Sequence, residues 1–403
     1  MASISTSSQP TSDAAKELLH RCLTGRPWPD SLLQEVISEQ NGRALFSVVV
    51  ERLADLFDPR LCDAYADLLS RVVNMVEPAY AVLDLRKRYD RVRALRPCSH
   101  IPKHILVLSR VTLGADVAVT SVILDGLKRQ FQNTRISLVG ARKNWELFAA
   151  DARVEFVPYD YPRGGTVAER IRAVPTFDTS ETVVIDPDSR ITQLGILPVC
   201  DESQYFFFES RGYGGEGDEA LPVLVSRWLA ETFGISSSVP YICPTPVAMA
   251  ADVAVSFGVG ENLEKRIAGS FERDILLALC KRGFSVVVDS GTATHEAERV
   301  QKAANNLPNV QVWSGSYAAF ASMISQAKLY VGYDSAGQHA AATCGVPLVS
   351  IFAGYVSDRM FERWHPTGPG PKQVLKVTDR TPEHVLQRTL EAVDAIEPIA
   401  GLC

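Results

Sequence analysis

No CxxC pair occurs among the eight cysteines of this 403-residue chain, which are scattered at positions 22, 62, 98, 200, 243, 280, 344 and 403. Zinc-site spacing is therefore absent, and reduced thiols are expected rather than a disulfide framework. No apolar run reaches the roughly 18 residues that a membrane helix needs. The opening stretch MASISTSSQPTSDAAKE has neither the basic region nor the apolar core of a signal peptide. A cytoplasmic location is expected, and peripheral membrane contact stays compatible with it. An excess of positive charge is also lacking, since 41 Lys and Arg against 47 Asp and Glu leave a net charge of −6. Bulk charge thus recruits no nucleic acid and no anionic surface, and a phosphate-bearing ligand has to be held by local groups. No GxSxG is present, so a hydrolase built on a nucleophile elbow has no support.

What is present fits an ordinary globular chain, with 46% hydrophobic and 22% charged residues. The length suggests two or three domains. Residues 1–12 are rich in Ser and Thr and are expected to be disordered. Residues 13–100 read as several short helices punctuated by Pro59 and Pro78, an all-helical accessory domain. Its basic run, Arg86, Lys87 and Arg88 with Arg91 and Arg93, reads as a solvated helix face. At Pro97 the hydrophobic period changes. HILVLS at 104–109 is a continuous apolar strand, and alternation of such strands with helices follows over 101–245. Pro240, Pro244 and Pro246 mark a linker, and a second alternation fills 246–403. The expected fold is α/β, with two Rossmann-like doubly wound domains facing a cleft and an N-terminal helical extension.

The stretch 328–354, KLYVGYDSAGQHAAATCGVPLVSIFAG, reads as strand, small-residue turn, Ala-rich helix and strand. Its turn, Asp334, Ser335, Ala336, Gly337, Gln338 and His339, falls at a strand's carboxyl end and a helix's amino end. Free N–H groups and the helix dipole attract phosphate there, although such turns occur in most α/β domains. Asp116 follows the first strand of the first α/β region and is either a helix cap or a general base. Lys265 follows the first strand of the second region and is either a diphosphate-neutralising cation or a solvated neighbour of Arg266. Arg110, Thr112, Arg142, Lys143, Asn144 and Arg190 lie at strand ends of the first region and are candidate substrate contacts. Asp186 and Asp188 form a DxD, but no third ligand accompanies them and no metal is expected.

Two of these stretches resemble motifs of glycosyltransferase family 9, the lipopolysaccharide heptosyltransferases. The stretch 106–131, LVLSRVTLGADVAVTSVILDGLKRQF, resembles the family's opening strand, Gly-Asp turn and helix. The stretch 328–354 is similar to its late Asp-Ser/Thr-Gly-x-x-His motif, and is followed by Phe352-Ala353-Gly354 and Arg363-Trp364-His365-Pro366. The likeness runs over about residues 103–395 and omits the first hundred. It implies a GT-B fold and metal-independent, cofactor-free inverting transfer from an NDP-sugar, ADP-heptose among the candidates, to a glycan or other hydroxyl acceptor. It further implies Asp116 as base, and Lys265, Asp334, Ser335, Ala336, Gly337 and His339 as donor-binding groups. Ala115 is inserted between Gly114 and Asp116, and Ala336 stands where the family usually has Gly. An NDP-sugar epimerase or hydrolase on the same scaffold, and a non-catalytic nucleotide-sugar-binding scaffold protein, are the alternatives.

Overall fold

The computed structural model describes residues 12–249, 251–260 and 262–400, without the side chains of Gln40 and 397–400. The expected disorder of the first residues and the last cysteine, Cys403, lie outside these. The strands along the chain are β1 (His104–Leu108), β2 (Arg135–Gly140), β3 (Val154–Pro158), β4 (Thr182–Asp186), β5 (Tyr205–Phe207) and β6 (Val253–Ser256). They continue with β7 (Val286–Asp289), β8 (Val310–Trp313), β9 (Leu329–Tyr333), β10 (Leu348–Phe352) and β11 (Lys372–Lys376). Packing divides the chain into two compact units. One joins the residues up to Arg96 with Asp160–Asp218; the other joins Pro97–Tyr159 with Glu219 onward.

The second unit holds the first three strands of the first α/β alternation and the whole of the second. β3, β2 and β1 pair in that order, all parallel. Six further strands form a parallel sheet of order β11-β10-β9-β6-β7-β8. Strands β6, β9 and β10 are buried along their whole length, as continuous apolar runs covered on both faces must be. Val253, Val255, Ile275, Leu279, Val331, Ile351 and Val393 belong to one core joining this sheet to its helices. Burying each such side chain contributes about 1.5–3 kcal/mol. From β6 the chain winds outward through β7 and β8, then returns to β9 on β6's other side. Ser256 at the end of β6 lies level with Gly332 in β9. The crevice beyond that reversal is where open α/β sheets bind ligands.

The other unit contains the helical segment. Ser12 caps the first helix, Asp13–Thr24, accepting from the Ala15 N–H at 3.0 Å, and Gly25 ends it at φ 65°. Asp58 caps the long helix Pro59–Val76. The helix Val82–Arg93 buries Leu85, Arg88, Tyr89 and Val92, one stripe at helical spacing. The solvated basic face expected here is thus broken, because Arg88 belongs to the buried stripe and is only 5% exposed. The same unit carries β4 and β5, which pair in parallel with Asp186 beside Phe207. The helical segment therefore packs with residues 160–218 rather than on its own.

Candidate functional site

The turn after β9 is built around Asp334, which is 4% exposed. Lys265 Nζ donates to its Oδ2 at 2.6 Å and to its backbone carbonyl at 3.1 Å. Lys265 stands after β6 and Asp334 after β9, so the strand reversal brings together two residues far apart in sequence. Gln338 Nε2 donates to the other Asp334 oxygen at 2.5 Å, and Ser350 Oγ on β10 donates to Gln338 Oε1 at 2.5 Å. A chain of polar contacts thus runs Lys265, Asp334, Gln338, Ser350 beneath the helix Ala336–Thr343. Gln338 lies in the turn that the sequence marks but is not among its donor-binding candidates; its spacing of four residues from Asp334 is the signal that points to it. Ser335 precedes the helix in extended conformation, φ −160°. The first N–H groups of the helix have no partners within it and are the natural anion donors. Gly337 is required by space: a Cβ there would stand 2.1 Å from Tyr330 Oη.

His339 is buried, and burial pushes its imidazole down to about 4; Asp334 opposes this and Lys265 adds to it. Near neutral pH it is a neutral ring that can donate one proton and accept another. Its ring lies 6.0 Å from that of Trp364, and the Arg110 guanidinium lies 5.9 Å from the Trp364 ring centroid.

The turn after β1 is built around Asp116, which is wholly buried. Its Oδ1 accepts from the Arg110 N–H at 2.7 Å and Thr120 Oγ1 at 2.6 Å, and its Oδ2 from Ser109 Oγ and Asn144 Nδ2, both at 2.6 Å. All four donors are neutral. Burial raises the carboxyl above the usual range, and the hydrogen bonds oppose that rise. The following helix is locally π-helical over Asp116–Thr120, the way a helix absorbs one additional residue. Val111, β-branched, sits at φ 73°, a strained conformation costing about 1–3 kcal/mol.

The two turns touch. A Cβ on Gly114 would stand 3.3 Å from the backbone of Ala336 and 3.6 Å from His339 Cδ2. The structure thus gathers Arg110, Asp116, Asn144, Lys265, Asp334, Ser335, Ala336, Gly337 and His339 in one region of one unit. Thr112 is exposed nearby in sequence to Asp116, while Arg142 pairs with Glu146 at 3.1 Å and Lys143 is exposed. Arg190 belongs to the other unit, where Tyr65, Glu51, Tyr161 and Asp55 hold it charged against a burial penalty. The DxD carboxylates are committed elsewhere. Asp186 accepts from Ser189 N–H, Thr192 Oγ1 and Tyr205 Oη, and Asp188 accepts from Ser210 Oγ at 2.7 Å and Arg211 Nε at 3.1 Å. Among the described residues no three His, Cys, Asp or Glu side chains are gathered as a metal set.

The family model described as glycosyltransferase family 9 (heptosyltransferase) matches residues 270–393. No curated protein matches the chain in sequence. Among solved structures, heptosyltransferase WaaC of E. coli with ADP aligns at TM-score 0.53 and 15% identity, over 72% of this chain and 99% of that one. A family 9 glycosyltransferase from Veillonella parvula aligns at TM-score 0.53 and 15% identity, over 76% of this chain and all of that one. The ADP-heptose lipopolysaccharide heptosyltransferase II of E. coli aligns at TM-score 0.50 and 15% identity, over 73% and 99%. The two α/β alternations are accordingly those of a GT-B fold, with the N-terminal helices added.

Proposed function

We propose that this chain, a heptosyltransferase-like glycosyltransferase of the family 9 type, transfers a sugar with inversion from a nucleoside diphosphate donor to a hydroxyl of a glycan or similar acceptor. The observation that carries the reading is the meeting of Lys265 and the 334–339 turn at the sheet's reversal point. A cation, a helix amino end and a neutral imidazole there suit a diphosphate whose charge grows as it leaves. ADP-heptose is the first donor to try, because one of the similar structures is named for ADP-heptose and another holds ADP. Lipopolysaccharide assembly in the cytoplasm is the setting this suggests, in keeping with described cysteines that are all free thiols.

The acceptor hydroxyl attacks the anomeric carbon opposite the diphosphate, and a base removes its proton. Asp116 fits that task in one respect: burial with only neutral donors raises its proton affinity. It can act once the acceptor hydroxyl replaces one of its donors, Ser109 Oγ or Asn144 Nδ2. In this reading the close approach of Gly114 to Ala336 parts as the donor enters. The proposed cycle is therefore one of opening, loading and closing around these two touching turns. Lys265 stays on the donor side, exchanging Asp334 for phosphate oxygen. No metal or other cofactor is assigned a step.

The test is thermal unfolding with ADP, ADP-heptose, GDP, UDP and their sugars. A ligand that binds the native state at one hundred times its Kd adds about 2.7 kcal/mol. Stabilisation by ADP-heptose, followed by sugar transfer to a glycoside, is the expected result. Stabilisation by none of these compounds would sink the reading. Rapid donor conversion without an acceptor would replace it with a hydrolase or epimerase.

A further inference from the structure

The unit that contains the helical segment has a pocket that the transferase reading does not use. It lies beside the helix Val82–Arg93 and residues 198–202, within that one unit. Its volume is about 530 Å³, inside the range of about 300–1,000 Å³ usual for small-molecule sites. Ala79, Tyr80, Leu85 and Pro198 give it apolar surface. Asp84, Arg88, Arg91, Asp201 and Glu202 give it charge.

Arg88 is the member that packing alone does not explain. It is 5% exposed. Its Nη1 donates to the Gly195 carbonyl at 2.7 Å and to that of Ile196 at 3.3 Å. With Tyr65 Oη donating to the Gln193 carbonyl at 3.4 Å, these bonds brace the loop after β4. The Arg88 guanidinium also lies 4.9 Å over the Tyr205 ring. These contacts fix the group, yet its Nε and Nη2 have no hydrogen-bond partner among the described residues. Nε and Nη2 form one edge of a guanidinium, the fork that holds a carboxylate by two parallel bonds. Arg91, in the same pocket, uses that edge: its Nε and Nη2 donate to the two oxygens of Glu202 at 2.8 and 2.7 Å. In Arg88 the same edge is buried and unpaired, which is unfavourable unless a partner is supplied.

The carboxylates nearby narrow the class of ligand. Asp84 stands four residues before Arg88, a spacing that suits an ion pair on a helix, but neither Nε nor Nη2 of Arg88 donates to it. Glu202 is paired with Arg91, and Asp201 accepts from the Ser203 N–H and Oγ at 2.8 and 2.5 Å. A dianionic phosphate would meet these carboxylates as like charges. A ligand carrying both a carboxylate and an ammonium meets a partner for each, and the apolar surface suits an aliphatic or aromatic side chain. We propose that this pocket binds a small zwitterion of the amino-acid class, an apolar amino acid or dipeptide, with its carboxylate on the Nε–Nη2 edge of Arg88 and its ammonium toward Asp84. The Arg91–Glu202 pair, with side chains 58% and 37% exposed, is the part of the lining that moves aside to admit it. The site stands independently of the transferase reading.

The experiment uses the full chain. Thermal unfolding is followed with the common amino acids and with dipeptides of leucine and phenylalanine, and calorimetry gives Kd for those that stabilise. Three further probes each lack part of the chemistry: 4-methylpentanoate has no ammonium, isopentylamine has no carboxylate, and inorganic phosphate has neither. At least one apolar amino acid or dipeptide should bind, and should do so more tightly than all three. Arg88→Lys keeps the charge and a donor for Gly195 but loses the fork, and should weaken that binding by about tenfold or more, the scale of one lost charge-assisted hydrogen bond. Asp84→Asn should bring the zwitterion down toward the affinity of its carboxylate analogue. Stabilisation by none of the amino acids or dipeptides overturns the site, as does binding that Arg88→Lys leaves unchanged. Phosphate binding more tightly than every zwitterion overturns the ligand class. If Arg88→Lys fails to fold, Asp84→Asn, a change at an exposed position, decides, and an unaltered Kd there overturns the assignment.

Discussion

The turns after β1 and β9 solve the same local problem in two ways. Each ends a buried parallel strand and enters a helix, and each is organised by a buried aspartate. Asp334 is met by a cation, Lys265, and by an amide that is itself held by Ser350. Asp116 is met by four neutral donors. The ion-paired aspartate is suited to holding a cation in place until phosphate arrives. The one held by neutral donors, with its proton affinity raised by burial, is suited to taking a proton. Strain is also divided unequally: Val111 at φ 73° sits in the first turn, whereas Ser335 enters the second in relaxed, extended form. The difference teaches that a shared strand–turn–helix plan leaves the chemistry to the charge of the partners.

Asp116→Asn is the sharpest way to break that contrast. Turnover should fall about 10²–10⁴-fold, the usual worth of a general base, while ADP still binds. An enzyme that keeps its rate with asparagine at 116 would leave that aspartate a structural hub only. Lys265→Ala should do the reverse, leaving Asp334 buried without its cation at a cost of about 3–5 kcal/mol and weakening ADP binding. Calorimetry that finds ADP affinity unaltered would remove Lys265 from the donor site.

A pH titration of stability probes the donor turn alone. His339 titrates near 4 in the folded chain against an ordinary value near 6.5, so the fold prefers the neutral ring. Its contribution is full above about pH 6.5 and is lost as pH falls toward 4, amounting to about 3 kcal/mol. The wild-type stability should therefore decline more steeply over that window than that of His339→Asn; identical slopes would contradict it. The smallest effect is expected where the turns touch. Gly114→Ala places a methyl 3.3 Å from Ala336, and overpacking there should cost about 1 kcal/mol or less. Because the proposed cycle parts this contact on loading, the substitution should lower stability without ADP more than with it. Equal loss in both would argue against a parting of the turns on loading.

Much of this was legible from residues alone. Continuous apolar runs such as 104–108 and 348–352 identify buried parallel strands, because alternation of polar residues is missing. The turn residues 334–339 and Asp116 are legible as candidates because each follows the carboxyl end of a strand and enters a helix, the end at which open α/β sheets bind ligands. From sequence Arg88 reads as part of a solvated face, because a run of three basic residues hides the one that falls on the stripe Leu85, Tyr89 and Val92. The role of Gln338 is not legible from sequence, because it depends on Ser350, a strand away.

The sequence by itself thus determined the elements, their parallel character and the two aspartate-centred turns, since these depend on local pattern and on chain direction. Only the tertiary structure decided that Lys265 meets Asp334, that Asn144 closes the shell of Asp116, and that Tyr65 and Arg88 brace the loop after β4. Each of these joins residues tens to more than a hundred positions apart, and no local propensity encodes such a meeting. It is set by strand order and by which helix face is left to bury, and both are properties of the packed whole.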